Sequence, residues 1–511
     1  PTPTQTPTQT PTQTPTQTPT PTPEPVVAKK IKMPVIIYGW DTGNTDTSMH
    51  FTSNKLQFEN GSKRYCTFQD IDDMFNGTNY SWPALSGSKG VTGSVKEYYK
   101  SISFGQLDVE FVILPAGTTS KPSSNNPNDH AYLINDDWKK YGEYKNGSNK
   151  GHRNDRYRDI HAQFQRMFTK ARLNLKMQGK DYDKMFPAST PLTFVQAGFS
   201  ASSVTGTNRY NYIWAHKWAF YYSGRYRLYN VNPFLESMTG RDDQTKAAIG
   251  TIGVVVHETL HAFGLPDLYD PTGVGTGINK LSVLASGSYG NASYAAAYLP
   301  SYALSWTRSE FVKNKLFETQ IVEIRETTTN IQIKSTLDEN KMYRIHHPTK
   351  SDCWWVELRT KNSEGKSGVN FDKLIMEAGL AITHQGDPKE NASNNGTRTP
   401  QHRRGETGYY ITLEQQDGKF ASQHGQRSIS NDLYKPGHEI SPYTIPSTVS
   451  RDGTPSGIKI HNISNTSNNT MKFDVTFIDE PNYKIQGVGY NFENTSHAES
   501  STNRTILKKN T

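Results

Sequence analysis

The sequence predicts an α+β protein in two structured parts: a mixed sheet with helices around one buried helix, then a mostly antiparallel β-sandwich. Three observations carry that expectation. From about residue 85 to 310, helix-period and strand-period stretches interleave. After about 318, short alternating runs separated by Gly, Asn, Asp and Pro replace them. The chain has 511 residues, more than a single core of about 250–300 residues normally serves. The expected division is a linker over 1–31, a first domain over 32–318, a second over 319–480 and a polar tail over 481–511.

The linker opens on "PTPTQTPTQTPTQTPTQTPTPTPEP". With no aliphatic residue and a proline every two to four positions it can bury nothing, and a PPII-like stalk is expected. The first strand is read at "KKIKMPVIIYGW", around Val35, Ile36 and Ile37. "GSVKEYYKSISFGQLDVEFVILP" reads as a helix stopped near Gly105, then a strand through Val109, Phe111 and Ile113. Ile160, Phe164, Met167 and Phe168 have helical spacing, and "PLTFVQAGF" reads as a buried strand. A nearly all-apolar helix is expected between a cap at Asp242 or Asp243 and a stop at Gly264, through Ala248, Ile249, Ile252, Val255 and Val256. Beyond 318, "IVEIRE", "IQIKS", "CWWVELR", "GLAITHQ", "YYITLEQ", "GIKIHNIS" and "MKFDVTFI" supply the sandwich strands.

The bulk numbers narrow the function. The net charge of +8 is spread over scattered Lys and Arg, so nucleic acid is not an expected partner. Mean hydropathy is −0.74, and no apolar run approaches the roughly 20 residues of a membrane span. Two cysteines, Cys66 and Cys353, give no disulfide framework. The stalk and the sequons at Asn60, Asn76, Asn291, Asn391, Asn462 and Asn494 suit a secreted or cell-surface protein, whose signal would have been removed before Pro1.

The chemistry concentrates in "HETLHAFGLPDLYD", residues 257–270. His257 and His261 are four apart, so both imidazoles lie on one helix face and can reach one Zn²⁺. Glu258 is rotated off that line, beside the metal, where it can accept a proton from a water. Gly264 permits the turn that delivers Asp267 as a third ligand and leaves a fourth position open, as a catalytic site requires. Asp270 competes for the same role. Chance would produce H-E-x-x-H about 0.02 times in a chain of this composition, so locally bonded histidines are the weaker reading.

The pattern H-E-x-x-H-x-x-G-x-x-D resembles the metzincin zinc peptidases. The fuller string "IGTIGVVVHETLHAFGLPDLYD" is similar to the immune-inhibitor-A family of secreted metallopeptidases. "GSVKEYYKSISFGQLDVE", "YIWAHKWAF", "VLASGSYG" and the later "GLAITHQ", "LEQQDG", "NDLYKPG" and "DGTPSGIKIHNIS" follow in that family's order, over roughly residues 33–478. The resemblance implies a zincin/metzincin-like catalytic domain. In it His257, His261 and Asp267 bind zinc, Glu258 is general acid and base, and a protein or glycoprotein is the substrate. Leu284 stands where the family carries its Met-turn methionine. Calcium is the second cofactor the resemblance raises, but only Asp181 and Asp183 remain of an acidic loop in "KDYDKMFPAST".

Tyr289, after the turn, is a candidate oxyanion or pocket residue as well as a packing one. His216 reads as structural, Trp354, Trp355 and Glu357 as the core and edge of a strand, and His346 and His347 as surface positions. Two other readings remain: a non-catalytic adhesin or binding protein that kept a peptidase scaffold, and a module that holds zinc only structurally. Intact His257, Glu258, His261 and Asp267 favour the enzyme.

Overall fold

In the computed structural model, residues 28–478 are described apart from internal stretches, the longest being 42–54, 115–129, 142–152, 202–211, 387–410 and 420–429. The Pro/Thr stalk, the polar tail, Asp242, Asp243 and Asp270 lie outside the described residues.

Strand β1 (Lys29–Trp40) is buried without a break from Met33 to Trp40, because residues of both its faces, Val35 and Ile37 on one and Ile36 and Tyr38 on the other, pack into the core. It pairs in parallel with β2 (Leu107–Ile113), β3 (Tyr132–Ile134) and β4 (Leu192–Gln196). β4 then pairs in parallel with β6 (Arg225–Pro233), which pairs antiparallel with β5 (His216–Tyr222). The order is β2–β1–β4–β6–β5, with β3 beside the end of β1. β1 takes in the last three residues of the expected linker, 29–31. Lys29 and Lys30 are exposed and join the sheet only through their backbones, opposite Leu107 and Asp108, which hydropathy does not register.

Local signals set the helices on this sheet. α1 (Phe68–Asn76) and α2 (Val95–Ile102) each start on a capping box, Thr67 with Asp70 and Ser94 with Glu97. α2 gives way to a turn in which Phe104 and Gly105 have φ of 53° and 81°, near the expected stop. α3 (Arg153–Met177) lays Ile160, Phe164, Met167 and Phe168 on the core, with the rings of Phe164 and Phe194 stacked at 4.3 Å.

The apolar helix is shorter than expected. α4 spans Ile252–Ala262, whereas Ala247–Ile249 form a strand paired with Leu235–Ser237. An apolar run suits a buried strand as well as a buried helix, so tertiary pairing decided the boundary.

After α5 (Ser305–Lys313) the chain is almost wholly β. β7 (Gln320–Ile324), β9 (Lys341–His346), β10 (Cys353–Arg359), β11 (Gly379–Gln385) and β12 (Ile411–Leu413) form one sheet in that order, with β7–β9 its parallel pair. β8 (Thr328–Lys334), β14 (Thr470–Phe477) and β13 (Ile458–His461) form a second, antiparallel sheet. Ile333, Ile460 and Phe473 of the smaller sheet share an apolar cluster with Tyr343, Trp354 and Ile382 of the larger. The other face of the larger sheet, with Met342, Cys353 and Trp355, joins the cluster that contains β1 and α4. β10 is therefore central and buried at all seven positions, which corrects the edge reading of Glu357. His347, expected at the surface, is also buried, its ring near Trp354. Cys66 and Cys353 are both buried free thiols. No described helix is long and apolar enough to cross a membrane.

Candidate metal centre

α4 is buried from Ile252 to His261, so its three ionisable residues, His257, Glu258 and His261, need partners. His257 Nδ1 donates to Val283 O at 2.9 Å, and His261 Nδ1 to Leu265 O at 2.7 Å. With those protons placed, each imidazole presents an Nε2 lone pair on the opposite side. The two Nε2 atoms are 3.2 Å apart, and Asp267 Oδ1 is 3.0 Å from both.

Three acceptors facing one another repel unless a cation stands among them. The buried Asp267 Oδ1 receives no aligned hydrogen bond among the described residues, although both nitrogens are within reach. The lone-pair orientation explains both facts. Without a metal, burial opposes charge on His257, yet the Asp267 carboxylate, assisted by Glu258, outweighs it and raises the imidazole pKa to about 9. A proton then takes the place of the cation among the three acceptors. Burial would also raise the Asp267 carboxyl, but the two imidazoles hold it well below the carboxylate range. The donor set fits zinc: ligands at 2.0–2.1 Å in tetrahedral directions lie about 3.3 Å apart. Among the described residues this is the one group of three or more His, Cys, Asp or Glu side chains that converges closely enough to hold a metal.

The backbone delivers Asp267. Gly264 adopts φ of 87°, which a side chain would strain, and Leu265 N bonds back to Leu260 O. Leu268 N then donates to Leu284 O at 2.7 Å, and Leu268 O accepts from Ile278 N at 2.9 Å. Asp267 is thus held by its neighbour's two bonds. Glu258 is buried beside the triangle; burial raises its carboxyl pKa, and the imidazoles and Lys217 only moderate that rise.

The turn around Leu284 lies against this helix, since Val283 supplies the His257 acceptor. Leu284 itself is fully buried. Leu284→Ala is expected to cost about 2–5 kcal/mol, whereas Leu284→Met should change stability by less than about 1.5 kcal/mol. Urea unfolding distinguishes the two, and equal negligible effects would contradict a packing role. Tyr289 ends the 3-10 turn Ser286–Tyr289 half-buried and is not one of the three converging residues.

Sequence reasoning missed several contributors. Gly253 packs directly on the turn: a Cβ there would stand 1.7 Å from Ser288 O. Gly253→Ala should therefore cost about 1–3 kcal/mol or more and separate helix from turn; an unchanged urea midpoint would contradict that contact. A glycine inside an apolar helix was the available signal. The Tyr269 ring lies nearly parallel to that of His257, with centroids 6.2 Å apart. Tyr99 donates to Thr259 Oγ1 at 2.7 Å, tying α2 to α4.

Other expected sites resolve differently. His216 bonds Trp214 O and Tyr229 OH, and burial lowers its pKa to about 4, as a structural histidine requires. In the segment raised for calcium, Asp181 caps a short helix, while Asp183 pairs with Arg172, Arg225 and Arg227. Three guanidinium groups around one carboxylate repel a cation.

No curated protein sequence matches the chain closely enough to serve as a relative. The family described as immune inhibitor A peptidase M6, catalytic domain, matches residues 41–316. That span includes α4, Asp267 and the turn that carries Leu284, and covers more than half of the 511 residues. With its metal-type donor triangle inside the matched region, the chain belongs to the immune inhibitor A M6 peptidase family.

Proposed function

We propose that the protein is a secreted zinc endopeptidase acting on extracellular proteins or glycoproteins. A metzincin-like catalytic domain over 32–318 is followed by a β-sandwich domain over 319–480. The observation that carries this reading is the triangle of His257 Nε2, His261 Nε2 and Asp267 Oδ1, at 3.0–3.2 Å, with both outer imidazole nitrogens committed to carbonyls.

A zinc ion held by these residues would lower the pKa of a water and polarise the scissile carbonyl. The chain's own groups do the rest. Glu258, with its raised pKa, takes a proton from the attacking water and returns it to the leaving amine. Val283 O and Leu265 O keep both histidines in the tautomer that offers Nε2. β5, with one neighbour in its sheet among the described residues, offers an edge that an extended polypeptide can join. Its Lys217 lies within the electrostatic reach of Glu258.

The Pro/Thr tract and the sequons support export from the cell, and the two sheets that share one apolar cluster support the sandwich. Elemental analysis tests the metal reading. One zinc per wild-type chain is expected, and none after His261→Ala in a protein with an unchanged far-UV circular dichroism spectrum. Equal zinc in both would place the metal elsewhere.

A further inference from the structure

Arg359 belongs to β10, in the β-rich part of the chain, yet its guanidinium reaches into the region around the metal centre. The side chain is fully buried, and all five of its N–H donors are used. Nε donates to Asp372 Oδ2 at 2.6 Å, and one terminal nitrogen donates to Glu357 Oε1 at 2.9 Å. The other terminal nitrogen also bonds Asp372. The two remaining donors go to main-chain carbonyls, Leu281 O at 3.1 Å and Tyr302 O at 3.4 Å.

Those carbonyls belong to the two segments that build the turn beneath α4. Leu281 is two residues before Val283, whose carbonyl orients His257. Between them, Ser282 O accepts from Ala285 N and Gly287 N, closing the turn. Tyr302 follows Ser301, whose N donates to Gly287 O at 2.9 Å and whose Oγ donates to Lys280 O at 2.5 Å. The carboxylates secure the second segment from the other side. Tyr302 N donates to Asp372 Oδ1 at 3.2 Å, and Ser305 N, at the start of α5, donates to Glu357 Oε2 at 2.5 Å. Two carboxylates alone would satisfy the charge of a buried arginine. The planar fork does more, because it fixes two backbone carbonyls in one plane with them.

We propose that Arg359 is a positioning residue for the metal centre: it clamps Leu281 and Tyr302, and so sets the Val283 carbonyl that orients His257. The inference rests on the metallopeptidase reading and makes the β-rich part a structural component of the active site. A lysine has three donors on one atom and cannot reproduce the fork.

The test uses the full chain with Arg359→Lys and with the neutral triple variant Glu357→Gln/Arg359→Met/Asp372→Asn. The triple variant leaves no unpaired charge buried and keeps acceptors for Ser305 N and Tyr302 N, so it carries the test where the lysine variant does not fold. Zinc affinity is read by competition with a chromogenic chelator, kcat and KM with a peptide substrate, and stability by urea unfolding. Ile460→Ala, in the apolar cluster between the two sheets, supplies a comparable loss of stability away from the turn.

Both Arg359 variants should bind zinc about tenfold more weakly or worse, and kcat should fall while KM stays within about threefold. Ile460→Ala should keep wild-type zinc affinity. Unchanged zinc affinity and kcat in the Arg359 variants would overturn the proposal, as would an equal loss in Ile460→Ala. A wild-type chain that binds no zinc would instead overturn the metallopeptidase reading on which it rests.

Discussion

Glu258→Gln should lower peptide hydrolysis about 100- to 10,000-fold while leaving fold and metal in place. The glutamine keeps the shape and polar reach of the side chain but cannot take a proton from water. It is not one of the three residues whose ligand atoms converge, so zinc content should match the wild type. Stability should hold or rise. Burial raises the Glu258 carboxyl pKa, so in the pH window between its unfolded and folded values the folded state binds more protons. Stability from this group is lost as pH rises through that window, and the neutral amide removes the loss. Steady-state kinetics with metal analysis check the prediction, and substantial proteolysis by a zinc-loaded variant would sink the assigned role.

Asp267→Ala should be as damaging by a different route. Asp267 Oδ1 is 3.0 Å from each imidazole Nε2, and removing it leaves two lone pairs without the carboxylate that completes the triangle. Zinc should then leave under mild chelation and hydrolysis should fall to background. Asp267→His should partly restore binding, since an imidazole supplies a nitrogen donor at that position. Asp270→Ala should retain the metal. Loss of zinc from Asp270→Ala with retention in Asp267→Ala would reverse the assignment. Elemental analysis after dialysis against chelator reads all three variants.

The donor triangle was legible because most of its information is local. A four-residue spacing places two imidazoles on one helix face, and Gly264 with its positive φ announces the return of the chain. The stop of α2 near Gly105, where Phe104 and Gly105 have positive φ, was legible for the same reason. What sequence did not disclose depends on distant partners. Ala247–Ile249 joined a strand because Leu235–Ser237 pair with it. Lys341–His346 lacks clean alternation and became a strand between β7 and β10. Arg359, at the end of "CWWVELR", carries no local sign of its role, because its partner Leu281 lies 78 residues away. Val283 acts through its carbonyl, to which a sequence pattern is blind.

The most direct measurement is hydrolysis of casein by the purified chain before chelation, after chelation and after zinc is restored, with fragments mapped by mass spectrometry. Internal cleavages should appear, vanish in the metal-free chain and return with one equivalent of zinc, while Glu258→Gln stays inactive throughout. Cleavage that persists without metal, or a zinc-loaded wild-type chain that cuts no peptide bond in casein or in a mucin-type glycoprotein, would contradict the account.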